Sequence, residues 1–237
     1  MSSSSKVLIV EDEAAIRTGL VDVLVYHGYQ VEAAANGREG LEKALSGSFD
    51  LLLLDVMLPE VNGFEICHQL RQSDPDLAII MLTAKSMDED VVQGLSLGAD
   101  DYVTKPFSIT QLLLRVQAVL RRTRPPENST DIIHLNDKVT IDCLNLCGKR
   151  EDESLVFTRR EIDLLRYLQL HSERPVSRDE LLHKVWGYAS NADLETRTVD
   201  IHIAKLRRKL ELEPAQPQFI LTVRGAGYRL HAVRQDS

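Results

Sequence analysis

Four positions along the first half of the chain carry side chains suited to phosphoryl chemistry. Glu11 and Asp12 follow the apolar run Val7, Leu8, Ile9 and Val10. Asp55 closes the run Leu51, Leu52, Leu53 and Leu54. Thr83 follows Ile79, Ile80, Met81 and Leu82, and Lys105 follows Tyr102, Val103 and Thr104. Glu11 and Asp12 are hard oxygen ligands of the kind Mg²⁺ takes, with water and phosphate oxygens completing its shell. Asp55 adds a third carboxylate, and three acids in one place repel unless a cation lies among them. Lys105 can pair with Asp55 or with phosphate; Thr83 can hydrogen-bond a phosphoryl oxygen. Taken singly, each has an ordinary explanation. Two acids suit a helix start through its dipole, and Thr83 and Lys105 could be loop residues. Together they fall on one edge, and that joint placement describes a site for divalent metal and phosphoryl transfer.

The elements that must hold these side chains are legible. Strands are expected at 6–10, 30–34, 51–55, 78–83 and 101–104, and helices at about 14–27, 37–46, 63–72, 88–97 and 109–122. The leucine run before Asp55 suits a parallel strand buried on both faces. Five alternating pairs imply a parallel sheet with helices on both faces. Such sheets hold ligands at the carboxyl ends of their strands. Gly28, Gly47 and Gly98 follow helices as stops do. Pro125 and Pro126 end the fifth helix, and 124–130 reads as a short linker. We therefore expect domains at 1–123 and 131–237. The second domain is built differently, with short alternating strands over 132–157, helices near 159–170, 178–186 and 195–210, then a hairpin turning through Arg224, Gly225, Ala226 and Gly227. Ser177 is the expected cap of the middle helix.

Composition sets outer bounds. The chain has 237 residues, 43% hydrophobic and 27% charged, room for two modest domains of ordinary soluble character. No apolar run approaches the roughly 18 residues of a membrane helix, and Met1 to Ser5 lack an apolar signal core, so the expectation is a cytoplasmic protein with no membrane partner. Cys67, Cys143 and Cys147 form no disulfide framework or metal-ligand pattern. The net charge of −8 hides an asymmetry. Residues 1–124 carry 11 basic and 18 acidic side chains, net −7, whereas Arg197 to Arg229 carries 7 and 3, net +4. A local basic stripe, rather than the whole-chain balance, is the footprint of nucleic-acid binding.

The order Glu11 and Asp12, Asp55, Thr83 and Ala84, Lys105 and Pro106 resembles the receiver domain of bacterial two-component response regulators. The stretches Met57 to Gly63 and Gly98 to Tyr102 strengthen that resemblance, which covers 6–122. It implies a five-stranded, doubly wound, flavodoxin-like α/β sheet, and Mg²⁺-dependent phosphorylation of Asp55 to an aspartyl phosphate by a sensor histidine kinase. It also implies a metal held by Glu11, Asp12, Asp55 and the Met57 carbonyl, with Thr83 and Tyr102 as a switch pair. An aspartyl nucleophile also serves hydrolases of the haloacid-dehalogenase type, but these need a second aspartate two residues on, where this chain has Met57. A phosphate acceptor, not an enzyme acting on small phosphates, is the expectation. A regulator whose receiver only dimerises is disfavoured by the intact acid cluster.

On the helix at 195–210, with about 100° per residue, Val199, Ile203, Leu206 and Leu210 form one stripe. Arg197, Ile201, Ala204, Lys205 and Arg208 fall opposite, a face without acids. A solvated helix usually mixes signs, so this face suits the major groove. The hairpin adds Thr222, Arg224 and Arg229 around two glycines. The strings Arg197 to Ile203 and Thr222 to Arg229 resemble the winged-helix effector domain of OmpR/PhoB regulators over about 131–231, an α+β fold. Phe157 to Glu161 and Val185 to Gly187 support it. The resemblance implies promoter DNA contacts by Arg197, Thr198, Ile201, His202, Lys205, Arg207 and Arg208, with Thr222 and Arg224 on the wing. It also implies an RNA polymerase loop at 186–193, and a homodimer on phosphorylation that binds tandem half-sites. Asp100, Asp101, Arg115 and Arg122 are the charges available for pairing across that dimer. Lysine at 205 stands where arginine is expected, and it lacks the fork for bidentate guanine contact. A lone tryptophan such as Trp186 is more often a core anchor than a partner contact.

Overall fold

The computed structural model describes residues 5–84, 97–120, 132–188 and 197–231. The helix expected near 88–97 falls almost wholly outside these residues, as do the 124–130 linker and most of the 186–193 loop. The chain divides into two compact units, Met1–Arg122 and Thr123–Ser237.

In the first unit, strands β1 (Lys6–Val10), β2 (Gln30–Ala34), β3 (Leu51–Asp55), β4 (Ala78–Ala84) and β5 (Asp101–Lys105) make one parallel sheet in the order β2-β1-β3-β4-β5. Between and after them come α1 (Ala14–Tyr26), α2 (Gly37–Ser46), α3 (Gly63–Ser73) and α4 (Ile109–Leu120). The order reverses between β1 and β3, so the carboxyl ends of these two strands flank the crevice where such sheets hold ligands. Every residue of β3 is buried, as a central strand covered on both faces requires. One side of the sheet packs Val7, Ile9, Leu51, Leu53, Ile80 and Leu82 with Leu20, Leu24 and Val116 of the helices. Local chemistry fixes helix starts: the Asn36 and Asn62 side chains accept from Glu39 N (2.8 Å) and Glu65 N (2.9 Å).

The second unit opens with an antiparallel sheet of β6 (Ile132–Asn136), β7 (Val139–Asp142), β8 (Cys147–Arg150) and β9 (Glu153–Val156). Helices α5 (Arg159–Leu170), α6 (Arg178–Lys184) and α7 (Arg197–Leu210) follow, then the hairpin β10 (Ile220–Val223) and β11 (Gly227–Leu230). Phe157, Leu165, Trp186, Val199, Ile203, Leu206 and Leu210 share its core. Thr158 and Glu161 close a reciprocal capping box at the start of α5. Ser177 caps α6, accepting from Glu180 N at 3.1 Å. The hairpin is tied down at Gly227, where φ is +116° and a built Cβ would lie 2.0 Å from the Val176 carbonyl oxygen. Only glycine allows Val176 and Tyr228 to form the bridge that joins this hairpin to the start of α6.

Candidate functional site

The sheet brings Glu11, Asp55, Thr83 and Lys105 together at its carboxyl edge. Asp55 is 4% exposed and Glu11 fully buried. The Lys105 ammonium lies between them, 2.7 Å from Asp55 Oδ2 and 2.9 Å from Glu11 Oε1. Asp55 Oδ1 accepts from the Met57 backbone N–H at 3.1 Å, while the Met57 side chain is exposed. Asp12 is exposed, and it offers a carboxylate oxygen within 4.8 Å of ligand atoms of both Glu11 and Asp55. Tyr102, next to the Asp101 start of β5, is 6% exposed. At Gly63 a built Cβ would meet the Asp55 carbonyl oxygen at 2.2 Å, so the loop leaving β3 can fold back on the site only with glycine there.

The electrostatics of this cluster leave room for a further cation. Burial raises the Glu11 pKa and Asp55 beside it raises it further, only partly opposed by Lys105. Burial works against the charge on Lys105, yet its two carboxylate partners outweigh that and raise its pKa. Glu11 Oε2, 2.8 Å from the ammonium, is outside hydrogen-bond geometry, and the buried Thr83 hydroxyl has no hydrogen-bond partner among the described residues. Three oxygen ligands within reach of one point, with unsatisfied buried oxygens beside them, fit a hard divalent ion such as Mg²⁺.

In the second unit, Arg197 and Arg208 on α7, Thr222 on β10 and Arg224 in the hairpin turn are exposed. Four residues expected to meet DNA are buried, Thr198 at 2%, Ile201 at 9%, His202 at 0% and Lys205 at 7%, and of these Ile201 and Lys205 were expected on the outward face. The wheel assumed one packed stripe, but α7 packs against more than one neighbour. The His202 ring lies 5.1 Å from the Trp186 ring, and the Lys205 ammonium lies 3.4 Å from Glu161 Oε1 on α5. A lysine follows its terminal charge rather than its Cβ. Arg207 turns its guanidinium to the Ile220 carbonyl oxygen and Thr222 Oγ1, at 2.6 and 2.8 Å, fastening helix to hairpin. Asp200 completes this brace, accepting from Arg178 and from the Tyr228 hydroxyl, both at 2.6 Å. Burial and that hydrogen bond push the Tyr228 phenol up to about 12. Trp186 is fully buried and serves the core.

Two family models match the chain: the response regulator receiver domain over residues 7–117, and the transcriptional regulatory protein C-terminal domain over residues 152–230. The alkaline phosphatase synthesis transcriptional regulatory protein PhoP of Bacillus subtilis (strain 168) is 42% identical over 240 residues, covering 98% of this chain and 99% of that protein. The response regulator ArlR of Staphylococcus haemolyticus is 43% identical over 225 residues, covering 94% and 98%. This chain is a response regulator of the OmpR/PhoB family. Among solved structures, a mutant form of RitR aligns with a TM-score of 0.75 at 29% identity, covering 97% of this chain and all of that one. DrrB of Thermotoga maritima, an OmpR/PhoB homolog, gives 0.52 at 29% with the same coverage. The chain is thus a two-component, DNA-binding transcriptional regulator. No described helix is long and apolar enough to cross a membrane.

Several residues that shape this response regulator carry no local sequence signal. The Arg71 guanidinium binds the carbonyls of Gly98 (2.8 Å) and Leu77 (2.5 Å) and the Asp100 carboxylate (2.9 Å). Asp101 pairs with Arg115 at 2.9 Å. Asp100, Asp101 and Arg115, which the sequence offers for pairing with a second copy, are therefore each engaged within the chain. Glu161 has a signal, the threonine three residues before it, which forecasts its cap but not its lysine partners.

Proposed function

We propose that this response regulator is switched by phosphorylation of Asp55. Asp55, activated by its setting, accepts a phosphoryl group from a sensor histidine kinase: a P–O bond forms at its carboxylate as the donor's P–N bond breaks. The observation that carries this reading is the Lys105 ammonium held between Asp55 and Glu11 with Asp12 alongside. Lys105 steadies the buried carboxylates before transfer and can move to a phosphoryl oxygen afterwards. The Thr83 hydroxyl is placed to bond a second phosphoryl oxygen, and Tyr102 to follow it as the other half of a switch. Glu11, Asp12, Asp55 and the Met57 carbonyl would hold Mg²⁺. A bound Mg²⁺ would offset the charge of the carboxylates and of the incoming group.

The switched form, on this reading, dimerises through its receiver and binds two promoter half-sites about 10–10.5 base pairs apart. The placement of Arg197, Arg208, Thr222 and Arg224 supports their meeting DNA, with Arg224 at the wing tip reading groove shape. Contact with RNA polymerase falls to the loop at 186–193. Incubation with Mg²⁺ and acetyl phosphate or beryllofluoride should occupy Asp55 alone and shift the protein toward a dimer in ultracentrifugation. Equal modification of Asp55→Ala would refute the acceptor; a labelled protein that stays monomeric would refute the dimer.

A further inference from the structure

Glu161 is fully buried at the third position of α5, where its carboxylate accepts from Thr158 N at 2.9 Å. The same carboxylate faces two lysines of α7: Lys209 at 2.6 Å from Oε2 and Lys205 at 3.4 Å from Oε1. Burial alone would raise its pKa, but Lys205 and Lys209 together with the hydrogen bonds hold it down at about 2. The two lysines are not held alike. Lys209 also donates to the Val156 carbonyl at 2.8 Å and lies over the Phe157 ring. Lys205 is only 7% exposed, and among the described residues its ion pair is with Glu161. His202, three residues before Lys205 on α7, is kept neutral by burial and by Lys205 itself. Arg160, beside Glu161 in sequence, lies over the Trp186 ring and donates to the Val185 carbonyl, so the start of α5, the end of α6 and α7 are pinned at one place.

We propose that Glu161 is a positioning residue that withholds Lys205 from DNA, so that α7 presents Arg197 and Arg208 as its phosphate-facing cations. This rests on the DNA-binding reading of the second unit. A charge neutralised inside the protein releases no counterion from DNA, whereas each lysine that meets a phosphate steepens the salt dependence of binding by about 0.9 in log–log slope. Glu161 therefore lowers non-specific affinity.

The test is the salt slope of the full chain on a duplex of random sequence about 30 base pairs long, between roughly 50 and 200 mM salt. Glu161→Gln keeps the capping geometry, since glutamine serves that position, but removes the counter-charge. Its slope should steepen by about 0.9, an extra loss of affinity of about three- to four-fold across that range. Lys205→Met should leave the wild-type slope unchanged, and the double variant should return to it. Arg208→Ala should be shallower by about 0.9, as the control for a cation on phosphate. A folded Glu161→Gln with the wild-type slope overturns the proposal, and so does a Lys205→Met slope shallower by about 0.9. Lys205→Met decides the matter by itself should Glu161→Gln not fold. Wild-type protein without salt-dependent binding, or an Arg208→Ala slope equal to wild type, would instead remove the DNA-facing assignment of α7 on which the proposal stands.

Discussion

Acid should destabilise the second unit through His202 before it titrates most carboxylates. The His202 ring is fully buried, and its Nδ1 lies 2.9 Å from the Thr198 carbonyl oxygen. A carbonyl only accepts, so the proton occupies Nδ1 and Nε2 is bare. Nε2 is buried with no hydrogen-bond partner among the described residues, so protonating it strands an N–H. Burial first, and the Lys205 ammonium second, hold the pKa at about 4 against an ordinary 6.5; Arg160 from α5 adds to this, while Glu161 and the bond to Thr198 oppose it. The folded pKa lies below the unfolded one, so the stabilisation from neutral His202 is complete above the unfolded value. It is lost as pH falls from about 6.5 toward 4, because the unfolded chain then binds the extra proton. At about 1.4 kcal/mol per unit the whole effect is about 3 kcal/mol, of which about 2 is lost between pH 7 and pH 5. Glu161, held at about 2, adds its own loss only below its ordinary 4.5. The single tryptophan, Trp186, is buried against His202. Urea titration followed by its fluorescence therefore reports this unit alone. Wild type should lose about 2 kcal/mol from pH 7 to pH 5, and His202→Phe should lose far less. An equal pH loss in both proteins would refute the reasoning.

Three further outcomes are expected. Gly63→Ala sets a Cβ 2.2 Å from the Asp55 carbonyl oxygen; the clash should cost about 1–3 kcal/mol and slow acetyl phosphate labelling of Asp55, and wild-type stability together with wild-type labelling would oppose this. Arg71→Ala removes the guanidinium that pairs with the Asp100 carboxylate, which is 2% exposed; thermal melts should show a loss of about 3–5 kcal/mol, and a loss under about 1 would mean that water replaces the guanidinium. Mg²⁺ at about 100 times its dissociation constant should stabilise the receiver by about 2.7 kcal/mol, with the effect gone in Asp12→Asn; an unshifted wild-type melt at millimolar Mg²⁺ would count against the metal site.

Most of the receiver is legible in its sequence because its physics is local. A fully buried parallel strand must read as an unbroken apolar run, and the first polar residue after it lands at the sheet edge. Asp55 after four leucines and Thr83 after Ile79 to Leu82 follow that rule, and their elements match to within a residue. What stays hidden is where long side chains end. The Arg71–Asp100 pair spans 29 positions and Arg115–Asp101 spans 14; neither partner marks the other in sequence. Lys105 and Lys205 make the contrast plain, since both pair with a buried carboxylate. Lys105 ends a strand, where the backbone gives its side chain one outlet, and that outlet is the site. Its side chain keeps 21% exposure, so the pair stays open to a ligand. Lys205 lies mid-helix, where a wheel gives the direction of Cβ but not of an amine four bonds further on. Its charge is drawn to the carboxylate that caps α5, and at 7% exposure little of it remains for a partner. An ion pair at a strand's carboxyl end is thus open to chemistry, whereas one between packed helices is committed to holding them.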